Sequence, residues 1–167
     1  MEITKTTHTA NAPLPTPVVP DALKVSPKET LLFATKGKGV QIYEWLPKKD
    51  NPKQYEWVHT PEADLFDPQG KKIGRHYAGP TWESNDGSKV VCDLKSHVAS
   101  KDDNAAPWLL LTARTHEGKG IFSSVTSIQR LETAGGAEPS AGAGQAKAGK
   151  QVRVPYTATY YFYGSKP

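Results

Sequence analysis

The most constraining feature of this chain is its last long segment. From Gln151 to Tyr163 the even positions Val152, Val154, Tyr156, Ala158, Tyr160 and Phe162 are apolar or aromatic, while Gln151, Arg153, Thr157 and Thr159 are polar. Successive side chains of a strand point to opposite faces, so a period of two held this long specifies an extended strand with one buried side. Pro155 falls on the outward side and has no N–H to give a neighbour, which places it at an edge or a bulge.

Such a strand needs partners, and β-branched and aromatic runs bounded by turn residues supply them. Thr30–Thr35 and Val40–Leu46 flank Lys36-Gly37-Lys38-Gly39 and read as a hairpin. A short run follows at Gln54–His59. Leu65-Phe66 and Lys72–Tyr77 flank the turn Asp67-Pro68-Gln69-Gly70, and Thr81–Glu83 and Lys89–Leu94 flank Asn85-Asp86-Gly87. Trp108–Thr115 leads through His116-Glu117-Gly118-Lys119-Gly120 to Ile121–Leu131. Ile121, Val125 and Ile128 also fit helical spacing, but the intervening serines and threonines are weak helix formers, so this segment reads as a strand. The expected fold is mainly β, an antiparallel β-sandwich or partly open β-barrel in a single domain.

Two segments are too poor in large apolar side chains to join a core. Residues 1–20 carry Pro13, Pro15, Pro17 and Pro20 and read as a flexible, extended N-terminal tail. Residues 134–150 hold five glycines and read as a flexible loop within a β domain spanning 21–163. Residues 164–167 are left as a short C-terminal tail.

Charge and cysteine usage narrow the function classes. The net charge is +4, but Lys36, Lys38, Lys48, Lys49, Lys71 and Lys72 lie in or beside expected turns among acids, which reads as solvated surface and not a nucleic-acid interface. The lone cysteine, Cys92, excludes an internal disulfide and sits in an apolar run, as a buried thiol does. No apolar run is long enough to span a membrane. Met1-Glu2-Ile3-Thr4-Lys5 lacks the apolar stretch of a signal peptide, so the chain is either cytoplasmic or trimmed of its export signal.

Several stretches together carry a family resemblance. They are Pro61-Glu62-Ala63-Asp64-Leu65-Phe66-Asp67, Gly74-Arg75-His76-Tyr77-Ala78-Gly79-Pro80-Thr81-Trp82-Glu83, Pro107-Trp108-Leu109-Leu110-Leu111 and Val154-Pro155-Tyr156-Thr157-Ala158-Thr159-Tyr160-Tyr161-Phe162-Tyr163. Gly39-Val40-Gln41-Ile42-Tyr43 and Val125-Thr126-Ser127-Ile128-Gln129-Arg130 add to them. Over about residues 20–163 the chain resembles the bacterial and fungal family known as domain of unknown function 3455. The resemblance implies a compact β domain, usually exported, and no particular activity. Members of that family often have cysteines where this chain has Trp45 and, approximately, Ala143, so a pairing across the loop is lost here.

Standard catalytic signatures are missing. There is no Gly-x-Ser-x-Gly elbow, His-Glu-x-x-His helix, phosphate loop or Gly-x-Gly-x-x-Gly turn, and nothing calls for a cofactor or a metal. Glu62, Asp64 and Asp67 cluster near His59, but calcium needs six to eight oxygens in a wrapping loop, and turn chemistry accounts for these acids. His76 is the most telling ionisable group. The bend at Gly79-Pro80 could return Trp82 and Glu83 to the neighbourhood of His76 and Tyr77, and a carboxylate-held histidine is what a general base requires. Catalytic candidates are therefore His76 with Glu83, or with Asp64. The plainer alternative is a histidine bonded to a backbone carbonyl at a strand corner.

Aromatic residues support a different class. Trp45, Trp57, Tyr77, Trp82, Trp108, Tyr161 and Tyr163 are many for a small β domain, and such rings serve binding surfaces as well as cores. Tyr161 and Tyr163 lie on the polar face of the last strand, where with Arg153 and Thr159 they could line a groove for a sugar or another small polar ligand. The preferred expectation is a non-catalytic binding module for a small molecule, a glycan or a partner surface. Its site would comprise His76, Tyr77, Trp82, Glu83, Arg153, Tyr161 and Tyr163. An enzyme built on His76 and a pocketless interaction protein are the alternatives, and the oligomeric state stays open.

Overall fold

Alternating runs of this kind can hide their apolar faces by curling one sheet around itself, and this chain does so. The computed structural model describes residues 15–140 and 148–167. It has eight strands: β1 (Glu29–Pro47), β2 (Tyr55–Phe66), β3 (Lys72–Tyr77), β4 (Thr81–Ser84), β5 (Lys89–Val98), β6 (Trp108–Glu117), β7 (Val125–Gly135) and β8 (Gln151–Ser165). Each pairs antiparallel with the next, and β8 pairs back onto β1, from Glu29 opposite Ser165 to Glu44 opposite Gln151. Of the two architectures expected, the sheet takes the barrel and closes it into a ring, which removes the open edges of a sandwich.

Two expected breaks are absent. Lys36-Gly37-Lys38-Gly39 is not a turn, because β1 runs through it unbroken. Leu65-Phe66 is likewise the end of β2, continuous with the run that begins at Tyr55. The glycines serve close approach instead of chain reversal. A Cβ on Gly37 would sit 2.5 Å from the Tyr160 ring, and one on Gly39 would sit 2.1 Å from the Glu62 carbonyl oxygen. Pro61 and Pro155, the prolines in strand interiors, obey the same logic of partners. Pro61 pairs with Gln41, and β3 joins β2 only from Ala63 onward; Pro155 pairs with Val40, one residue beyond the last β7 partner. Each lacks a neighbour on one side, where a missing N–H costs no rung.

One half of the interior is a conventional apolar core. Leu65, Val90, Cys92, Ile128, Ala158 and Phe162 pack there with Phe122, and the Phe33 and Phe162 rings stack at 4.7 Å. Phe122 does not come from a strand. Ile121–Ser124, expected as the start of one, forms a turn that plugs this end of the barrel. The turn is clasped by Asp86, whose carboxylate accepts from the Ile121 N–H at 2.8 Å and the Ser88 hydroxyl at 2.6 Å. These bonds, the Ser88 hydroxyl foremost, hold the Asp86 carboxyl down at about 2.

A second cluster lies on the outside. A 3-10 turn at Asp21–Leu23 buries Leu23 against Leu110 and Leu131, with Val19, Val25, Trp108 and Tyr161 beside it. Gln129 ties it down, donating from Nε2 to the Leu23 carbonyl at 2.7 Å and accepting from the Tyr163 hydroxyl at 2.7 Å. This covering corrects one expectation: Tyr163 is on the outer face, as its parity requires, yet it is buried under the strap. β8 also runs on to Ser165, into the segment expected as a tail. Most of the expected N-terminal tail, residues 1–14, and the middle of the expected loop, residues 141–147, lie outside the described residues.

Gly39→Ala should destabilise the protein by about 1–3 kcal/mol, because its methyl meets backbone that cannot move aside. The exposed neighbour Lys38→Ala should change little in the same urea melts.

Candidate functional site

Unequal strand lengths open the wall of the barrel at one place. β3 reaches only as far as His76 opposite Ala63 on β2, and β4 pairs with β5 only from Thr81–Val91 to Glu83–Lys89. The halves of β2 and β5 beyond these points, Tyr55–Glu62 and Cys92–Val98, therefore stand with no strand between them. The Gly79-Pro80 turn joining β3 to β4 forms the sill of this notch. Behind it lies a cavity of about 340 Å³. His59, Thr60 and Pro61 stand at the mouth with the exposed Leu94, and Leu109 and Leu111 form apolar walls.

The inner end of the cavity is aromatic and polar. His76 and Trp82 are direct cross-strand partners, and their rings stack at 4.1 Å. Tyr160 meets both edge-on, at 5.2 Å and 5.7 Å, and its hydroxyl lies 2.8 Å from that of Tyr156. Arg130, opposite Tyr160 on β7, is buried and donates from both Nε and Nη2 to the Pro107 carbonyl, at 3.1 and 2.8 Å. Gln41 is fully buried, and neither amide atom has a hydrogen-bond partner among the described residues; the indole N–H of Trp82 is in the same position.

His76 is the strand-corner histidine of the plainer reading. Its Nδ1 lies 2.9 Å from the Thr81 carbonyl oxygen, which only accepts, so Nδ1 carries the proton and Nε2 keeps its lone pair. Burial pushes its pKa down to about 3, outweighing the Thr81 bond that acts the other way. The imidazole is neutral at physiological pH.

The bend at Gly79-Pro80 does return Trp82 and Glu83 to His76 and Tyr77, but as two pairs on opposite faces. Tyr77 and Glu83 each follow an inward residue and so point out. There the Tyr77 hydroxyl donates to Glu83 Oε1 at 2.6 Å, with Arg75 over the Tyr77 ring at 5.2 Å. The expected pairing of His76 with Glu83 does not form, and Asp64 is no substitute, since it lies outside in an ion pair with Lys72 at 3.0 Å. The expected outer groove is equally dispersed. Arg153 pairs with Glu62 at 3.2 Å, Tyr161 is half-buried beside the strap, and Tyr163 lies beneath it. Of the expected site residues, the cavity collects His76 and Trp82.

It also collects Gln41, Arg130 and Tyr160, which the sequence reading did not select. A signal existed for two of them. Gln41 sits between Val40 and Ile42 and Arg130 just before Leu131, polar side chains on apolar strands whose inward parity required the ring to be known. The acids near His59 are also accounted for: Glu62 and Asp64 are ion-paired outside, and Asp67 Oδ1 accepts from the Gln69 and Lys71 N–H groups, both at 2.9 Å. Among the described residues no three His, Cys, Asp or Glu side chains gather as metal ligands would, and no helix is long and apolar enough to cross a membrane.

Residues 26–164 match the family described as Protein of unknown function (DUF3455). The chain belongs to the DUF3455 family. No curated protein and no solved structure matches it. In this DUF3455 chain the stretches that carried the resemblance converge on the cavity. Gly39–Tyr43 brings Gln41, Gly74–Glu83 brings His76 and Trp82, Pro107–Leu111 brings two walls, Val125–Arg130 brings Arg130, and Val154–Tyr163 brings Tyr160.

Burial of a neutral histidine makes DUF3455 stability depend on pH with a definite sign. Unfolded, the imidazole takes its proton near pH 6.5; folded, not until about pH 3. Between those values the unfolded chain binds the extra proton, so stability is full above pH 6.5 and declines below it, by up to about 1.4 kcal/mol per pH unit. Urea melts from pH 7 to 4.5 should show this slope, and His76→Phe, which retains a ring against Trp82, should flatten it.

Proposed function

We propose that this chain is a non-catalytic binding module that admits a small molecule through the notch between β2 and β5 into the barrel. One observation carries the reading: Gln41 lines an open cavity, and its fully buried amide has no hydrogen-bond partner among the described residues. A buried amide left unpaired costs about 1–3 kcal/mol, so a fold that keeps one there keeps a group that a ligand or water satisfies. Apolar walls with a few converging polar groups are the usual composition of a small-molecule site.

Two further observations favour this class over the alternatives. The geometry gives His76 no carboxylate to orient it, and its proton is committed to a backbone carbonyl, which weakens the case for general-base chemistry. On the outer face, Arg153, Tyr161 and Tyr163 are each engaged by other parts of the protein, which weakens the case for a glycan groove there.

The test is titration with N-phenyl-1-naphthylamine, a neutral apolar dye that gains fluorescence on burial. The wild type should bind it at a single site. Leu109→Trp and Leu94→Trp, which fill the wall and the mouth, should weaken binding at least about tenfold while leaving circular dichroism and melting intact. Dye binding unchanged in both folded variants would remove the cavity from consideration.

A further inference from the structure

We infer that the ligand of this cavity is a small carboxylate, held by the guanidinium of Arg130 with the Gln41 amide and the Trp82 indole N–H, its aliphatic or aromatic body lying between the leucine walls. This rests on the binding reading above and adds the chemical class of the ligand.

Charge is the first argument. Arg130 is 4% exposed, and its partners among the described residues are neutral: the Pro107 carbonyl, which takes two of its donors, and the Tyr160 hydroxyl. The ion pairs among the described residues all lie elsewhere, on Lys24, Lys72, Arg75, Arg114 and Arg153, with partially or largely exposed side chains. Arg130 acts on Tyr43, His59, His76, Tyr156 and Tyr160, none of which is a carboxylic acid; the acid Glu138 also acts on Tyr43, but no carboxylate pairs with Arg130 among the described residues. Burial keeps the tyrosines protonated further still, Tyr43 up to about 12. A cation withdrawn from water with no anion beside it is costly, and an interior that retains one is built to meet an anion from outside.

The donor balance is the second argument. Arg130, Gln41 and Trp82 all line the cavity, and the Gln41 amide and the Trp82 N–H, buried just behind its surface, have no partner among the described residues. Against them stand, at the inner end, the Gln41 carbonyl oxygen, the Tyr160 hydroxyl and the lone pair on His76 Nε2, with the Thr60 hydroxyl and the His59 ring out at the mouth, and none of these is an anion. A carboxylate is acceptor-only, with about four lone-pair sites, and answers this surplus. A guanidinium also binds a carboxylate through strong, charge-assisted bonds. One positive charge matches a monoanion. Leu94, Leu109 and Leu111 leave no polar groups for the many hydroxyls of a sugar, and about 340 Å³ is at the small end of ligand pockets.

The decisive experiment compares each acid with its own uncharged amide. Octanoate with octanamide, and phenylacetate with phenylacetamide, are titrated calorimetrically into the wild type, Arg130→Met and Arg130→Lys, with N-phenyl-1-naphthylamine as a neutral control. At least one acid should bind the wild type tenfold or more tighter than its amide. That preference should vanish in Arg130→Met and persist, weakened, in Arg130→Lys, while the dye binds all three. Dye binding with no preference for either acid overturns the carboxylate assignment and leaves the binding module standing. A preference that survives Arg130→Met overturns the role of Arg130. Failure of dye and acids alike overturns the binding reading with it. Should Arg130→Met not fold, the wild-type comparison of acid with amide still decides the ligand class.

Discussion

Everything in this molecule depends on β8 returning to pair with β1. That ladder joins the last strand to the first along nearly their whole lengths, and it alone turns a meander of hairpins into a ring with an inside. It forms because β1 is long enough to hold β2 on one side and β8 on the other, and because Gly37 and Gly39 leave room where the ring of Tyr160 and the backbone of β2 come closest. Register shifts help the sheet to curve. One falls between Leu31 and Phe33 opposite β8, and another between Leu131 and Ala134, where Glu132 takes a positive φ of 53°. Such irregularities bend a strand and sharpen its twist, as a closed sheet requires.

Closure divides the interior by chemistry. Where all the strands are present and the Phe122 turn closes the end, hydrocarbon fills the space. Where β3 and β4 stop short, the wall has a notch and the side chains facing it are Gln41, His76, Trp82, Arg130 and Tyr160. The difference follows from access. A plugged end can be satisfied by apolar packing alone, whereas polar groups at an open end have solvent or a ligand within reach. Burial that holds His76 neutral is the same burial that leaves Arg130 as the charge dominating the cavity.

Much of this was legible from residue order. The alternation of β8, the turns Asp67-Pro68-Gln69-Gly70 and Asn85-Asp86-Gly87, and the family resemblance all correspond to what the chain does. The Gly74–Glu83 stretch, singled out from residue order, carries both His76 and Trp82 to the cavity. The misreadings share one cause. Lys36-Gly37-Lys38-Gly39 has the composition of a turn, but its glycines answer to Tyr160 and Glu62, far away in the chain. Tyr163 has the parity of an exposed residue, but a strap from the other terminus lies over it. Glu83 is near His76 in sequence, and pleating sends the two to opposite sides of the sheet.

Local order thus settled most of where the chain extends and turns, Lys36–Gly39 and Ile121–Ser124 excepted, because backbone preference and the two-residue period act between near neighbours. It did not settle which face of each strand is inside, which is a property of the closed ring. Gln41 on β1 is far along the chain from Arg130 on β7 and Tyr160 on β8, and the three share one cavity only because β8 bridges β1 and β7. Proximity across strands is set by which ladders form, and a linear reading holds no record of that.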